Sequence, residues 1–242
     1  VQPRRRRCRR RAHDRQSRHP RAGHPHADFR ARSLRPQQLQ LPQELLAAAL
    51  DLFVERGYAA TRLDDVAARA GVSKGTLYLY FENKEELFKA VVRENLVSAL
   101  AEAEDYIEQY RDTSSALLRE FILGWWERIG ETKLSGITKL MMAESGNFPD
   151  VARFYHEEVI SRSHALITRM LERGVASGEF RAINTDHANR VIVAPVVMLM
   201  MWKHSFNACQ MTPISAPEYL DCFLDLITHG LLASPARPDN LS

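Results

Sequence analysis

LLAAALDLFVERGYAATRLDDVAARAGVSKGTLYLYFENKEELF, residues 45–88, decides how this chain folds. Leu45, Leu46, Ala49, Leu52 and Phe53 recur at helical spacing, and Gly57 closes that run. A second, short helix is expected after Thr61, with Leu63, Val66, Ala67 and Ala70 on one face. Gly71 stands where a tight turn needs positive φ, and Ser73 can cap a third short helix. Asn83 can cap a fourth, with Glu86 placed three residues on for a capping box. Two short helices joined by Ala70-Gly71-Val72 make a helix-turn-helix unit. Ala67 is small enough for the two to cross closely, and Val72 and Leu77 plug the unit into the first helix. The second helix of the unit then presents Ser73, Lys74, Gly75, Thr76, Tyr78 and Tyr80 outward. Hydroxyls, an ammonium and bare backbone suit phosphates and base edges in a major groove.

Downstream, Phe88, Val91, Val92, Leu96, Ala99 and Ala103 mark the buried stripe of a long fourth helix that reaches about Gln109. Further helices are expected over about Ser115–Gly130, Gly136–Ser145, Pro149–Gly174, Asp186–Asn207 and Pro217–Ala233. Pro149 suits a first helical turn, and Pro195 is expected to kink the helix that contains it. No alternating strand pattern and no internal repeat is visible. The expected fold is therefore all-α. A three-helix DNA-binding domain with the helix-turn-helix occupies 42–89, and a helical effector-binding and dimerisation domain occupies 90–234.

The flanks differ in texture. Residues 1–41 hold 13 Arg and no Lys against two Asp, a net +11, while 20 basic and 28 acidic side chains beyond them give −8. Such an Arg-, His-, Pro- and Gln-rich stretch buries too little apolar surface to offset its ordering entropy, so disorder is expected there and over 235–242. It reads either as a basic arm that adds non-specific phosphate attraction or as a dispensable extension. Three cysteines without paired spacing give no disulfide framework. The longest apolar run, Val191 to Trp202, is 12 residues and contains Pro195, against the roughly 20 that a spanning helix needs. No signal peptide is visible. A cytoplasmic protein without membrane contact is the expectation.

The run AGVSKGTLYLYFENKEELF, within the longer stretch quoted first, resembles the DNA-binding domain of the TetR family of transcriptional regulators. The resemblance implies a double-stranded operator as partner and carries roles onto matching positions. Thr61 would hold a phosphate through its hydroxyl and nearby N–H, and Arg62 would reach the backbone or the groove. Ser73, Lys74, Gly75 and Thr76 would approach bases. Tyr78, Tyr80 and Lys84 would contact phosphates. Leu79 departs from the aromatic or polar residue often found between the two tyrosines. From Pro42 to Lys89 there are six Lys or Arg and eight Asp or Glu. Affinity should therefore rest on a few placed contacts and on a homodimer reading two half-sites of a palindrome-like operator.

The C-terminal part is rich in large apolar residues, as a ligand pocket in a helical domain would be. Phe121, Trp125, Met141, Met142, Phe154, Met198 and Trp202 are the candidate lining, with His156, His164 and Asn189 as polar groups that could tune it. Ordinary core packing is the competing reading for each. The resemblance implies that an unknown small apolar or amphipathic effector moves the fourth helix and releases DNA, so the protein reads as a repressor. Ligand-independent or activating regulation is the alternative. The last two long helices suit a dimeric four-helix bundle, with Val191, Val196 and Leu199 on one and Phe223, Leu224, Ile227 and Leu231 on the other. No Glu-x-x-His pair, G-x-S-x-G, P-loop or H-E-x-x-H occurs. No catalytic residue, metal site or cofactor is expected.

Overall fold

Helix α1 spans Gln40–Ala60 in the computed structural model, which describes residues 40–206, 209 and 214–233. The extension and tail expected at the termini fall on residues 1–39 and 234–242, outside the described residues; Gln40 and Leu41 already belong to α1. Gly57 breaks α1 with φ 83° and ψ 169°, a backbone conformation that a side chain with a Cβ resists. Helices α2 (Leu63–Arg69) and α3 (Lys74–Tyr78) follow, joined through Gly71 at φ 69°. Ser73 Oγ accepts from Thr76 N at 3.1 Å and caps α3. Two ion pairs tie α2 back to α1: Arg56 to Asp65 at 3.0 Å, and Arg69 to Glu55 in a fork at 2.7 and 2.8 Å.

Asn83 Oδ1 accepts from Glu86 N at 2.9 Å and starts α4. The Glu86 carboxylate faces Lys89 at 3.2 Å instead of completing the expected capping box. Helix α4 comprises Lys84–Val92, a π-turn at Arg93–Val97 and Ser98–Gln109. Helix α5 is Ser114–Trp125, prolonged by a π-turn at Trp126–Gly130. Helix α6 is Ser135–Glu144. Helix α7 comprises Pro149–Tyr155, a third π-turn at His156–Ile160 and Ser161–Ala176. Helix α8 is Thr185–Ser205, one helical span that runs through Pro195, and α9 is Ala216–Leu231. Each π-turn holds one residue more than α-helical spacing needs, so everything beyond it is rotated about the axis.

An aromatic cluster joins the first three helices to the rest. The Phe88 ring of α4 meets Phe53 at 5.2 Å and Tyr58 at 5.4 Å, and Phe148, just before α7, meets Tyr58 at 4.6 Å. Phe53, Phe88, Leu77 and Leu87 are fully buried there. The helix-turn-helix thus shares its core with the helical body. At the far end, Glu179 accepts from Ser114 N (2.6 Å), Ser115 N (2.9 Å) and Ser115 Oγ (2.5 Å), closing the N-terminus of α5. The Phe180 ring covers Gly174 of α7, and its backbone bridges to Leu232.

Candidate DNA interface and ligand cavity

The outer face of the helix-turn-helix is built as its sequence suggests. Arg62, Ser73, Lys74, Gly75, Tyr78 and Tyr80 are exposed, and Thr76 is half-buried with its hydroxyl 2.8 Å from Ser73 Oγ. Leu79 is 83% exposed, far more than its neighbours. Lys74 Nζ lies 2.9 Å from the Asp64 carboxylate of α2. That bond holds the ammonium above its usual range, so the lysine remains charged but is already paired.

Two of the residues assigned by resemblance point elsewhere. Thr61 is buried, and its hydroxyl donates to the carbonyls of Gly57 (2.7 Å) and Leu52 (3.1 Å). It closes the C-terminal end of α1, where carbonyls lack helical partners. Lys84 donates to the carbonyls of Tyr58 (2.7 Å) and Ala59 (3.1 Å), 4.5 Å from the Tyr58 ring centre. Burial pulls this ammonium below its ordinary pKa, against the opposing charge of Glu144 on α6. Both side chains fasten the corner after Gly57. Thr61→Val and Lys84→Met are each expected to cost about 1–2 kcal/mol in denaturant unfolding. Lys84→Met should leave the slope of log affinity for DNA against log salt unchanged. Loss of a phosphate-contacting cation would flatten that slope by about 0.9 per protomer and would reinstate the phosphate role.

A cavity of about 420 Å³ lies between α5, α6, α7 and α8, inside the ~300–1,000 Å³ range of small-ligand sites. Of the expected lining, Phe121, Trp125, Met141 and Met142 are present. Phe154, His156, Met198 and Trp202 are not. Phe154 turns toward α4, under Lys89 and Arg93. His156 is exposed and Met198 points outward at 47% exposure, while Trp202 stacks edge-on against Tyr219 of α9. His164 and Asn189 also lie off the cavity; Asn189 Nδ2 donates to His164 O and Thr168 Oγ1, tying α8 to α7. The reason is helical phase. Along α7 the cavity face is Tyr155, Val159, Ser163 and Ile167, set by the π-turn between them; along α8 it is Ile192, Val193, Val196, Val197 and Met200.

Sequence reasoning missed the polar groups of the cavity: Thr138, Ser145, Tyr155 and Ser163. Thr138 Oγ1 and Tyr155 Oη are 3.2 Å apart. Burial pushes the Tyr155 phenol up, with the Thr138 bond acting the other way, so it stays protonated. Among the described residues, no His, Cys, Asp and Glu cluster could hold a metal ion.

Helix α6 has two working faces. Thr138, Met141, Met142 and Ser145 line the cavity. Its N-terminal turn lies on α1, with Gly136 against Val54 and Lys133 paired with Asp51. The chain just past it packs Phe148 on Tyr58. Whatever shifts α6 at the cavity also bears on the first helix of the DNA-binding unit.

Residues 45–91 match the bacterial regulatory proteins of the tetR family, and residues 116–219 match the C-terminal domain of AefR-like transcriptional repressors. The HTH-type transcriptional activator FasR of Mycolicibacterium smegmatis is 49% identical over 63 residues, 25% of this chain and 29% of FasR, so the match spans under a third of that relative. The HTH-type transcriptional repressor KstR2 of Rhodococcus jostii is 28% identical over 184 residues, 75% of this chain and 88% of KstR2. The crystal structure of the transcriptional regulator FadR from Bacillus subtilis in complex with stearoyl-CoA superposes with a TM-score of 0.66 at 20% identity, covering 78% of this chain and 98% of FadR.

Proposed function

Because this chain belongs to the TetR family of DNA-binding transcriptional regulators, we propose that it is a cytoplasmic, dimeric repressor that leaves a palindromic operator when a small apolar or amphipathic effector fills the cavity. The observation that carries this reading is the double use of α6, one face on the cavity and one on α1. Arg62, Ser73, Lys74, Gly75, Thr76, Tyr78 and Tyr80 make the operator contacts, and Thr61 supports them by fastening the corner before α2. Lys74 exchanges Asp64 for DNA as it docks, which favours sites whose negative charge lies where Asp64 now sits. The domain bounds proposed are 42–89 for DNA reading and 90–234 for sensing and dimerisation.

The dimer forms through α8 and α9. Val191 (65% exposed), Met198 (47%) and Leu226 (67%) lie outward on these helices, whereas Val196, Leu199, Phe223 and Leu224 are buried within the protomer. Of the face that periodicity suggested on α8, Val191 is thus open to the two-fold contact, whereas Val196 and Leu199 are used inside the protomer. An exposed apolar stripe of this kind is costly to leave in water.

The test is a gel shift on DNA flanking the protein's own gene, using the full chain and a chain starting near Gln37. Tight, competitor-resistant binding by both, weakened by a cavity ligand, supports the reading. Binding by the full chain alone, lost steeply with salt, would place affinity in the Arg-rich extension and overturn it. A second reading, activation, is favoured by the likeness to FasR in the DNA-binding segment; a reporter gene falling silent on deletion of the regulator would establish it.

A further inference from the structure

The cavity has a chemical bias that its size does not reveal. Its described lining contains aromatic, aliphatic and thioether side chains and four hydroxyl groups, with no Lys, Arg, His, Asp or Glu among the described residues. The cations next in sequence to lining residues are engaged elsewhere: Lys139 with His204 O at 2.8 Å, Arg153 with Asp150 at 3.5 Å and Arg162 with Glu104 at 3.0 Å. A carboxylate or phosphate entering this cavity would lose its water without gaining an opposite charge, a large penalty.

One polar point is present. Thr138 and Tyr155 share a single hydrogen bond across 3.2 Å. Two hydroxyls carry two protons, and their mutual bond uses one. The second proton and the free lone pairs are available to a ligand atom. Tyr155 is held neutral by its burial, so the pair can donate to a carbonyl or hydroxyl oxygen and accept from a hydroxyl, but cannot neutralise a charge. Met142 and Ile160 line the cavity while being 61% and 46% exposed, which marks its mouth.

We infer that the cavity selects uncharged, mainly hydrocarbon molecules carrying one hydroxyl or carbonyl, seated on the Thr138–Tyr155 pair, and discriminates against free carboxylates. This rests on the proposed ligand-responsive function but concerns recognition, which is separable from DNA release.

The experiment is titration calorimetry of the full-length protein at pH 7.5 with decan-1-ol below its solubility limit and decanoate below its micelle concentration. Decan-1-ol is expected to bind at least about tenfold tighter than decanoate. Tyr155→Phe, and independently Thr138→Val, should weaken decan-1-ol about three- to tenfold, the range of one neutral hydrogen bond, while leaving decanoate unchanged. Equal or tighter binding of decanoate, or no binding of decan-1-ol, would overturn the inference. Equal affinity in wild type and both variants would remove the seat at Thr138–Tyr155. If decan-1-ol binds as expected but leaves operator affinity unchanged, the recognition stands and the repressor-release reading fails.

Discussion

Replacing Glu179 by Ala is expected to lower unfolding stability by about 2–4 kcal/mol in urea or thermal denaturation, since three hydrogen bonds to a carboxylate disappear at once. The acceptors lost are those of Ser114 N, Ser115 N and Ser115 Oγ at the start of α5. Ser114 is buried, so its amide has no ready access to replacement water. The link spans 64 residues of sequence between Ser115 and Glu179, so its loss frees the α7–α8 turn as well as the α5 end. The effect also has a pH signature. Burial pushes the Glu179 carboxyl up, but the bonds from Ser115 and Ser114 outweigh it and hold the group below its ordinary value of 4.5. A depressed folded-state pKa gives stability that is present above the ordinary value and fades as pH falls through the folded one. Wild type should therefore lose more stability than Glu179→Ala between pH 6 and about 3. Parallel pH profiles for the two proteins would show that the carboxylate contributes nothing.

Gly136→Ala is expected to cost about 1–3 kcal/mol, an overpacking penalty concentrated in one contact. A Cβ at Gly136 would meet Val54 Cγ1 at 2.6 Å and Cγ2 at 2.9 Å. Both groups sit on helices, so relief requires α6 to move off α1. The double variant Gly136→Ala with Val54→Ala removes the obstructing methyls and should regain much of the loss, a coupling readable as a double-mutant cycle. The same displacement acts where cavity and DNA-binding unit meet. Gly136→Ala alone should also shift operator affinity in a gel shift, with or without ligand, and the double variant should restore it. Full stability in the single variant, or strict additivity in the pair, would mean that this crossing does not set the spacing.

The helix-turn-helix was legible because its local signals agreed, the Glu86 half of the capping box apart. Gly71 supplied the positive-φ turn, Ser73 and Asn83 supplied caps that form as expected, and Val66, Ala67 and Leu77 marked a face that is buried. Thr61 and Lys84 were less accessible. Their positions matched the family pattern, but their directions depend on how the chain turns after Gly57, which hands each of them a carbonyl. The cavity was half legible for a different reason. Composition identified an apolar sensing domain, and Phe121, Trp125, Met141 and Met142 do line it. Phe154 and His156 do not, because size and hydrophobicity carry no phase, and the π-turn that sets phase in α7 leaves no mark in HEEVI. Tyr155, adjacent to both, is the residue that enters.

The π-turns also bear on how such a sensor can change over time. Each marks a point where the helix carries one residue in excess, so a codon lost there can leave an ordinary α-helix behind. In α7 that loss would turn one half of the helix against the other by about 100°. Tyr155 would no longer stand in line with Val159, Ser163 and Ile167, and a different set of side chains would meet the ligand. A change in length at His156–Ile160 can thus re-aim the receptor in a single step, where exchanging side chains one at a time would have to pass through many poorly fitted intermediates.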